Sequence, residues 1–219
     1  YIVIGAGSAG CVLSNRLSQN QNNKVAVFEA GGPSDIWKVK MPLALLYAMH
    51  DPKYNWKYYS EPEPHLNNRR LFCPRGKMIG GCSAHNGMVF VRGNKNDYER
   101  WENFGLKSWS YQKILPYFKK IENWSGGENQ YRGSFGPLPI NQSKNDNPLF
   151  KAFLNAASEA GHVNNPDMNG EYQEGFGMFD TTIHNGERAS ATKYYLNPAK
   201  SRKNLSIFSN SFVEKIIFD

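Results

Sequence analysis

Residues 1–32 read YIVIGAGSAGCVLSNRLSQNQNNKVAVFEAGG. An apolar run, Tyr1–Ile4, leads into Gly5-Ala-Gly7-Ser8-Ala9-Gly10 and then into a helical pattern from about Ser8 through Leu17. Its spacing predicts a helix burying Ala9, Val12, Leu13 and Leu17. Lys24–Phe28 is a second short apolar strand that ends at Glu29. Strand, G-x-G-x-x-G, helix, strand and terminal acid stand in the order a dinucleotide-binding βαβ unit requires. In that reading Gly5 makes the turn, Gly7 admits a pyrophosphate and Gly10 lets the helix pack on the strand. The N-terminus of the helix, at Ser8 and Ala9, faces the phosphates. Glu29, with Ala30 beside it, accepts both ribose hydroxyls. An acid there argues against a 2′-phosphate, so the adenosine is that of FAD or NAD rather than NADP.

A second glycine-rich stretch, RGKMIGGCSAHNGMVFVRG, occupies residues 75–93. Glycines let backbone approach a ligand closely, and small polar residues beside them present N–H and hydroxyl groups. Gly80-Gly81 taken alone is also what a tight turn before a strand looks like. Two such stretches in one chain point to a single long ligand, gripped at both ends.

The remaining chemistry is ordinary for a globular protein. Of 219 residues 40% are hydrophobic and 21% charged, and no apolar run is long enough to span a membrane. Nothing resembles a signal peptide. The strand entered directly at Tyr1 and the apolar run ending at Asp219 suggest a piece of a longer protein. Three cysteines, Cys11, Cys73 and Cys82, lack metal spacing and fit a reducing compartment. The net charge of +7 permits an anionic partner. The basic residues are scattered, however, without a recognition helix or aromatic-basic motif, so nucleic acid is not expected.

Residues 33–70 read as irregular and carry Trp37, Tyr47, Tyr54, Trp56, Tyr58 and Tyr59. A long excursion of this kind suits a lid over a cofactor, and each aromatic suits a core equally well. Leu71–Cys73 reads as a strand, and Asp97–Phe104 and Ser110–Glu122 as helices, with Pro116 breaking or kinking the second. The stretch 125–147, dense in Gly, Asn, Ser and Pro, marks a domain crossing. Asn147-Pro148 opens a helix to Ala160 with Leu149, Phe150, Phe153, Leu154 and Ala157 on one face. Leu205–Ser209 and Phe212–Phe218 read as strands returning to the first sheet.

With both glycine stretches in hand, the chain resembles the N-terminal part of the glucose–methanol–choline (GMC) oxidoreductases, and within them the bacterial choline dehydrogenases. GAGSAG at 5–10, FEAGG at 28–32, YNW at 54–56, EPEP at 61–64 and NNRR at 67–70 carry the resemblance. So do RGK at 75–77, GG at 80–81, NGM at 86–88, VRG at 91–93, SWSY at 108–111, LPYF at 115–118 and NPLF at 147–150. QEGFG at 173–177, RAS at 188–190, AKSRKNL at 199–205 and IIFD at 216–219 complete it.

The resemblance implies an α/β fold: a Rossmann-like FAD-binding domain of GMC type interleaved with part of an α+β substrate-binding domain. The first would hold residues 1–124 and 196–219, with the lid at about 33–70, and the second residues 125–195. It implies FAD, with the loop from Gly80 to Met88 along the flavin, Gly81 and Ser83 near the pyrophosphate or ribityl chain and Asn86, Gly87 and Met88 facing the isoalloxazine. Val213, on the late strand, would meet the adenine. It also implies oxidation of a primary alcohol, choline to betaine aldehyde, by hydride transfer to flavin N5. The basic histidine pair would lie beyond Asp219, so no catalytic residue is assigned within the chain. Choline dehydrogenases of this type usually carry an apolar residue where His85 stands. The related choline oxidases have a Gly-Gly-Cys-Ser-x-His-Asn run whose His is bonded to the flavin, so a covalent link at His85 is an expectation, with a hydrogen-bonding His85 as the alternative. Gly87, where those oxidases have Ser, points back to the dehydrogenase. Another GMC alcohol oxidase or dehydrogenase and a non-catalytic FAD-binding fragment remain alternatives. The acceptor, oxygen or a respiratory quinone, is left open; a cytoplasmic protein held loosely at the inner membrane face is expected.

Overall fold

The structure, a computed structural model, describes residues 1–218; Asp219, the last residue of the IIFD stretch, lies outside them. The chain divides into two compact units, Tyr1–Met88 with the chain from Asn185 onward, and Val89–His184.

The first unit is built on the expected βαβ element. Strand β1 (Ile2–Ile4), helix α1 (Ser8–Leu17) and strand β2 (Val25–Phe28) follow in order. β2 is the middle of a three-stranded parallel sheet, flanked by β1 and by the returning strand Leu205–Phe208. Ile2 pairs with Ala26 and Leu205 with Val25, so the strands end level. Val3, Val25, Val27 and Leu205 are buried. Parallel pairing of this kind needs a crossover, and α1 provides the one between β1 and β2.

The buried face of α1 differs from the expected one. Gly10, Cys11, Ser14 and Asn15 are buried, whereas Ala9 is exposed and Leu13 is 50% exposed. Small and polar residues face inward because α1 packs closely against the π-helical turn Thr192–Leu196, which supplies polar partners. Asn15 Nδ2 donates to the Tyr195 carbonyl at 2.6 Å, and the Arg202 guanidinium donates to the Asn15 carbonyl at 2.6 Å and to Ser18 Oγ at 2.8 Å. Apolar periodicity therefore misidentified the face, since close packing and the hydrogen bonds of Asn15 and Ser18 outweighed side-chain hydrophobicity.

Residues 33–70 hold more structure than expected: helical turns at Trp37–Lys40, Pro42–Ala44 and Leu45–His50, and a two-residue strand Tyr58–Tyr59 paired with Phe72–Cys73. Of the aromatics, Tyr54 is buried, packed with Val39, Met78 and Ala84. Trp37, Tyr47, Tyr58 and Tyr59 are exposed.

Residues 212–218 form no strand. The ladder to β2 ends with the Asn210 and Ser211 amides donating to Gly31 and Glu29, and the apolar residues that follow, Phe212 and Ile216–Phe218, lie exposed. Their alternation reads as a strand, but a strand needs a neighbour to pair with. Val213 is accordingly half-buried in irregular chain rather than on a strand.

The second unit contains a four-stranded sheet in the order Val89–Phe90, Asp180–Thr181, Leu138–Gln142, Glu122–Trp124. Helices Lys95–Asn103, Tyr111–Ile121 and Pro148–Glu159 belong to it. Pro116 does not break its helix. The last helix opens on Asn147, whose side chain accepts from the Leu149 amide at 2.9 Å. Ala157 is buried and Phe150 and Leu154 are half-buried, but Leu149 is 78% exposed and Phe153 is also exposed, so the expected apolar face is only partly covered here.

The stretch 125–147, expected to mark a crossing, lies inside this unit. Glu122 precedes it, Arg132 lies in it, and the two are joined by a fully buried ion pair at 3.2 Å. Arg132 also reaches Asp167 at 2.6 Å and Asp180 at 2.8 Å, and Arg92 pairs with Glu122. Residues 185–195 fall in the first unit, tied there by Arg188 and by the Ala191 amide, which donates to Ser83 Oγ at 3.0 Å.

Candidate cofactor site

The β1–α1 turn has the geometry its glycines predict. Gly5 takes φ +85°, a conformation costly for side chains other than glycine. A methyl group at Gly10 would collide with the Gly5 carbonyl oxygen, so helix and turn touch without a side chain between them. Gly7 is less confined. Glu29, buried at the end of β2, ties the turn to its own strand. One carboxylate oxygen accepts from the Ala6 amide at 2.9 Å and the other from Gly31 at 2.8 Å. A carboxylate has about four lone-pair sites, so both oxygens keep an acceptor for a hydroxyl. Ala30, next to it, is half-buried. Ser8 and Ala9 open α1 and are exposed, their amides free of a side-chain cap.

The second glycine stretch meets this turn directly. The Gly80 amide donates to the Ala6 carbonyl at 2.6 Å, and a methyl group at Gly81 would lie 2.7 Å from Gly7 Cα. Gly80 and Gly81 both take positive φ, +96° and +50°. Two segments some 75 residues apart in sequence thus touch backbone to backbone, with no room for a side chain between Gly81 and Gly7.

From Gly81 the chain makes a 3₁₀ turn to Ala84, capped by His85. Ser83 Oγ donates to the Gly80 carbonyl at 2.6 Å while accepting from Ala191, so its hydroxyl proton is committed within the loop. Asn86 and Gly87 are exposed at the far end. Met88 is buried at φ +60°, a conformation that a long side chain adopts only when its surroundings impose it. The Asn86 side chain helps by accepting from the Met88 amide at 3.2 Å.

His85 is 3% exposed and neither ring nitrogen has a hydrogen-bond partner. Arg188, which the sequence offered only as part of a resembling tripeptide, turns out to hold the loop. Its Nε donates to the Val39 carbonyl at 3.0 Å, and Nη1 donates to the Asn86 carbonyl and to Asn86 Oδ1 at 2.7 and 2.9 Å. Arg188 is 2% exposed, and burial alone pushes its pKa down to about 10. Its only signal in the sequence was an arginine among small residues, which does not reveal burial. Val213 does not join the described loop contacts. Among the described residues no group of His, Cys, Asp or Glu is placed to hold a metal ion, and no helix is long and apolar enough to cross a membrane.

Compared with known families, the sequence matches the GMC oxidoreductases over residues 1–219. The chain belongs to the GMC oxidoreductase family. GMC oxidoreductases are FAD flavoproteins, and the Rossmann-like parallel sheet is that of the family's FAD-binding fold. The chain is 48% identical over its full length to the oxygen-dependent choline dehydrogenase of Sinorhizobium fredii and spans 40% of that protein. It is 44% identical to the mitochondrial choline dehydrogenase of Mus musculus, again over the full chain and 38% of the relative. Among solved structures, pyridoxine 4-oxidase from Mesorbium loti superposes with a TM-score of 0.94 at 29% identity, over all of this chain and 43% of that one. An FAD-dependent oxidoreductase from Chaetomium thermophilum gives 0.88 at 29% identity, over all of this chain and 40% of the other. This GMC chain thus covers about 40% of the length of the curated relatives it matches.

Proposed function

We propose that this GMC chain holds FAD along the joined glycine turns, and that the whole protein oxidises choline to betaine aldehyde, a step of glycine betaine formation. The observation that carries the first part is the direct contact of the two turns through Ala6 and Gly80. Identity of 48% to a choline dehydrogenase supports the second. The residues present fit the dinucleotide. Gly7 and Gly81 leave a side-chain-free surface for the pyrophosphate, with the α1 amides beside it. Glu29 retains acceptors for the ribose hydroxyls, and exposed Asn86 and Gly87 offer polar groups to the flavin ring. Bound FAD would supply the hydride acceptor, N5. The chain's own part is to orient and pre-organise: Arg188 holds Asn86, and Asn86 holds the strained Met88 backbone.

A covalent bond from His85 to the flavin belongs to the same proposal, supported by two ring nitrogens with no other partner. Denaturing the flavin-loaded protein tests it, since yellow colour left entirely in the supernatant excludes the bond. For the main proposal, the intact protein is expected to show an oxidised flavin spectrum that bleaches with choline faster than with methanol, glycerol or aryl alcohols. Bleaching by another alcohol in preference to choline overturns the substrate. A protein that takes up no flavin overturns the site. Peroxide formation in air, set against quinone reduction, assigns the acceptor. The excess of basic residues supports a loose hold on an anionic membrane face, which sedimentation with anionic vesicles tests.

A further inference from the structure

The three cysteines of the chain occupy three different environments. Cys11 is buried in α1, and burial pushes its pKa up to about 12. Cys73 is half-buried on a two-residue strand. Cys82 is half-buried in the 3₁₀ turn of the glycine loop, where residues three apart stack on one face. The residue three further on is His85, whose amide donates to the Cys82 carbonyl at 3.2 Å. Its imidazole is buried beside the Cys82 thiol. The Gly76 amide donates to Cys82 Sγ at 3.5 Å. A thiolate is stabilised by an adjacent imidazole, by amide N–H groups and by nearby cations, and those are the groups around this sulfur. The charged or titratable neighbours on the two segments against it are His85 and Arg75. Together with the Gly76 amide they draw the Cys82 thiol below its ordinary pKa, the imidazole foremost, against the opposing effect of burial.

We propose that Cys82, paired with His85, is a nucleophilic thiol that is oxidised by hydroperoxides, a modification site apart from the hydride chemistry of the flavin. The thiolate attacks the terminal peroxide oxygen. The S–O bond forms as the O–O bond breaks, the sulfur gives up two electrons to become a sulfenic acid, and the departing alkoxide or hydroxide takes up the proton that the thiol released on ionising. The inference does not depend on which alcohol the protein oxidises.

Tryptic cleavage puts the cysteines on separate peptides: Cys11 within residues 1–16, Cys73 within 71–75 and Cys82 within 78–92. The test treats the intact protein, as purified and as flavin-free protein produced under riboflavin limitation, with limiting hydrogen peroxide followed by dimedone, and reads the peptides by mass spectrometry. Dimedone is expected on Cys82 severalfold ahead of Cys73 in at least one of the two forms, with none on Cys11. In the same form the iodoacetamide rate at Cys82 is expected to rise at lower pH than that at Cys73, and His85→Asn to move it upward. Equal or earlier labelling of Cys73 in both forms overturns the proposal, as does a Cys82 profile that coincides with that of Cys73 or ignores the substitution in a folded variant. Should H85N fail to fold by circular dichroism, the wild-type profiles of Cys82 and Cys73 decide alone.

Discussion

Two buried arginines, one in each unit, solve the same problem in opposite ways. Arg132 in the second unit is fully buried among Glu122, Asp167 and Asp180, and its π-face neighbour is Trp124, with the guanidinium carbon 4.1 Å from the ring centroid. Burial opposes its charge, but hydrogen bonds to Glu122 and Asp180 and the carboxylate charges raise its pKa above the ordinary value. For Arg92, which shares Glu122, burial wins and the pKa falls. Arg188 in the first unit is as deeply buried, yet its recorded partners are carbonyl and amide oxygens without formal charge, and Nη2 has none. The second unit closes its charges internally and uses them to hold strands and loops together. The first leaves a cation uncompensated under the loop proposed to meet a cofactor. An uncompensated buried charge costs stability, and Arg188 offsets that cost with hydrogen bonds to the Val39 and Asn86 oxygens.

The largest expected effect is on the closed cluster. Arg132→Met strands Glu122 and Asp180 and is expected to lower stability by about 3–5 kcal/mol, read by urea unfolding through the tryptophans of the second unit. A loss under ~1 kcal/mol would mean that the cluster is not a structural hub. Arg188→Met leaves three oxygen acceptors without their donor and is expected to cost about 1–3 kcal/mol. It sharpens the comparison through its ligand dependence: flavin loading is expected to raise the melting temperature of the wild type more than that of R188M. Equal flavin-induced shifts would break the contrast between the two arginines. Gly81→Ala places a methyl against Gly7 Cα and is expected to weaken flavin binding roughly ten- to hundredfold, the equivalent of about 1–3 kcal/mol of overpacking. Unchanged flavin affinity in G81A would mean that flavin binding does not depend on the close Gly7–Gly81 contact. The smallest effect is at the second unit's exposed helix. Asn147→Ala removes its cap and is expected to cost about 1 kcal/mol without altering flavin binding; a coupled loss of flavin would mean that the units do not behave separately.

Much of the first unit was legible in the sequence because its signals are local. Gly5, Gly10 and Glu29 follow from backbone geometry over a single βαβ unit. The turn at Gly80-Gly81 was legible as glycine-rich, and the Asn147 cap as an Asn-Pro at a helix start. What failed were readings that depended on a neighbour. The inward face of α1 is polar because the turn at 192–196 comes close to it. Residues 212–218 do not form a strand for want of a pairing partner among the described residues. Residues 125–147 look like a linker by composition, yet Arg132 anchors them inside a unit.

The amino-acid sequence alone determined that a dinucleotide-type βαβ unit opens the chain and that a second glycine turn lies far along it, because both are set by short-range backbone freedom and spacing. That these turns touch through Ala6 and Gly80, that Arg188 stands beneath Asn86, and that His85 sits buried beside Cys82 were decided only by tertiary structure. Each is a contact between residues whose burial comes from distant segments, and burial sets the hydrogen bonding and acid strength that their types alone leave open.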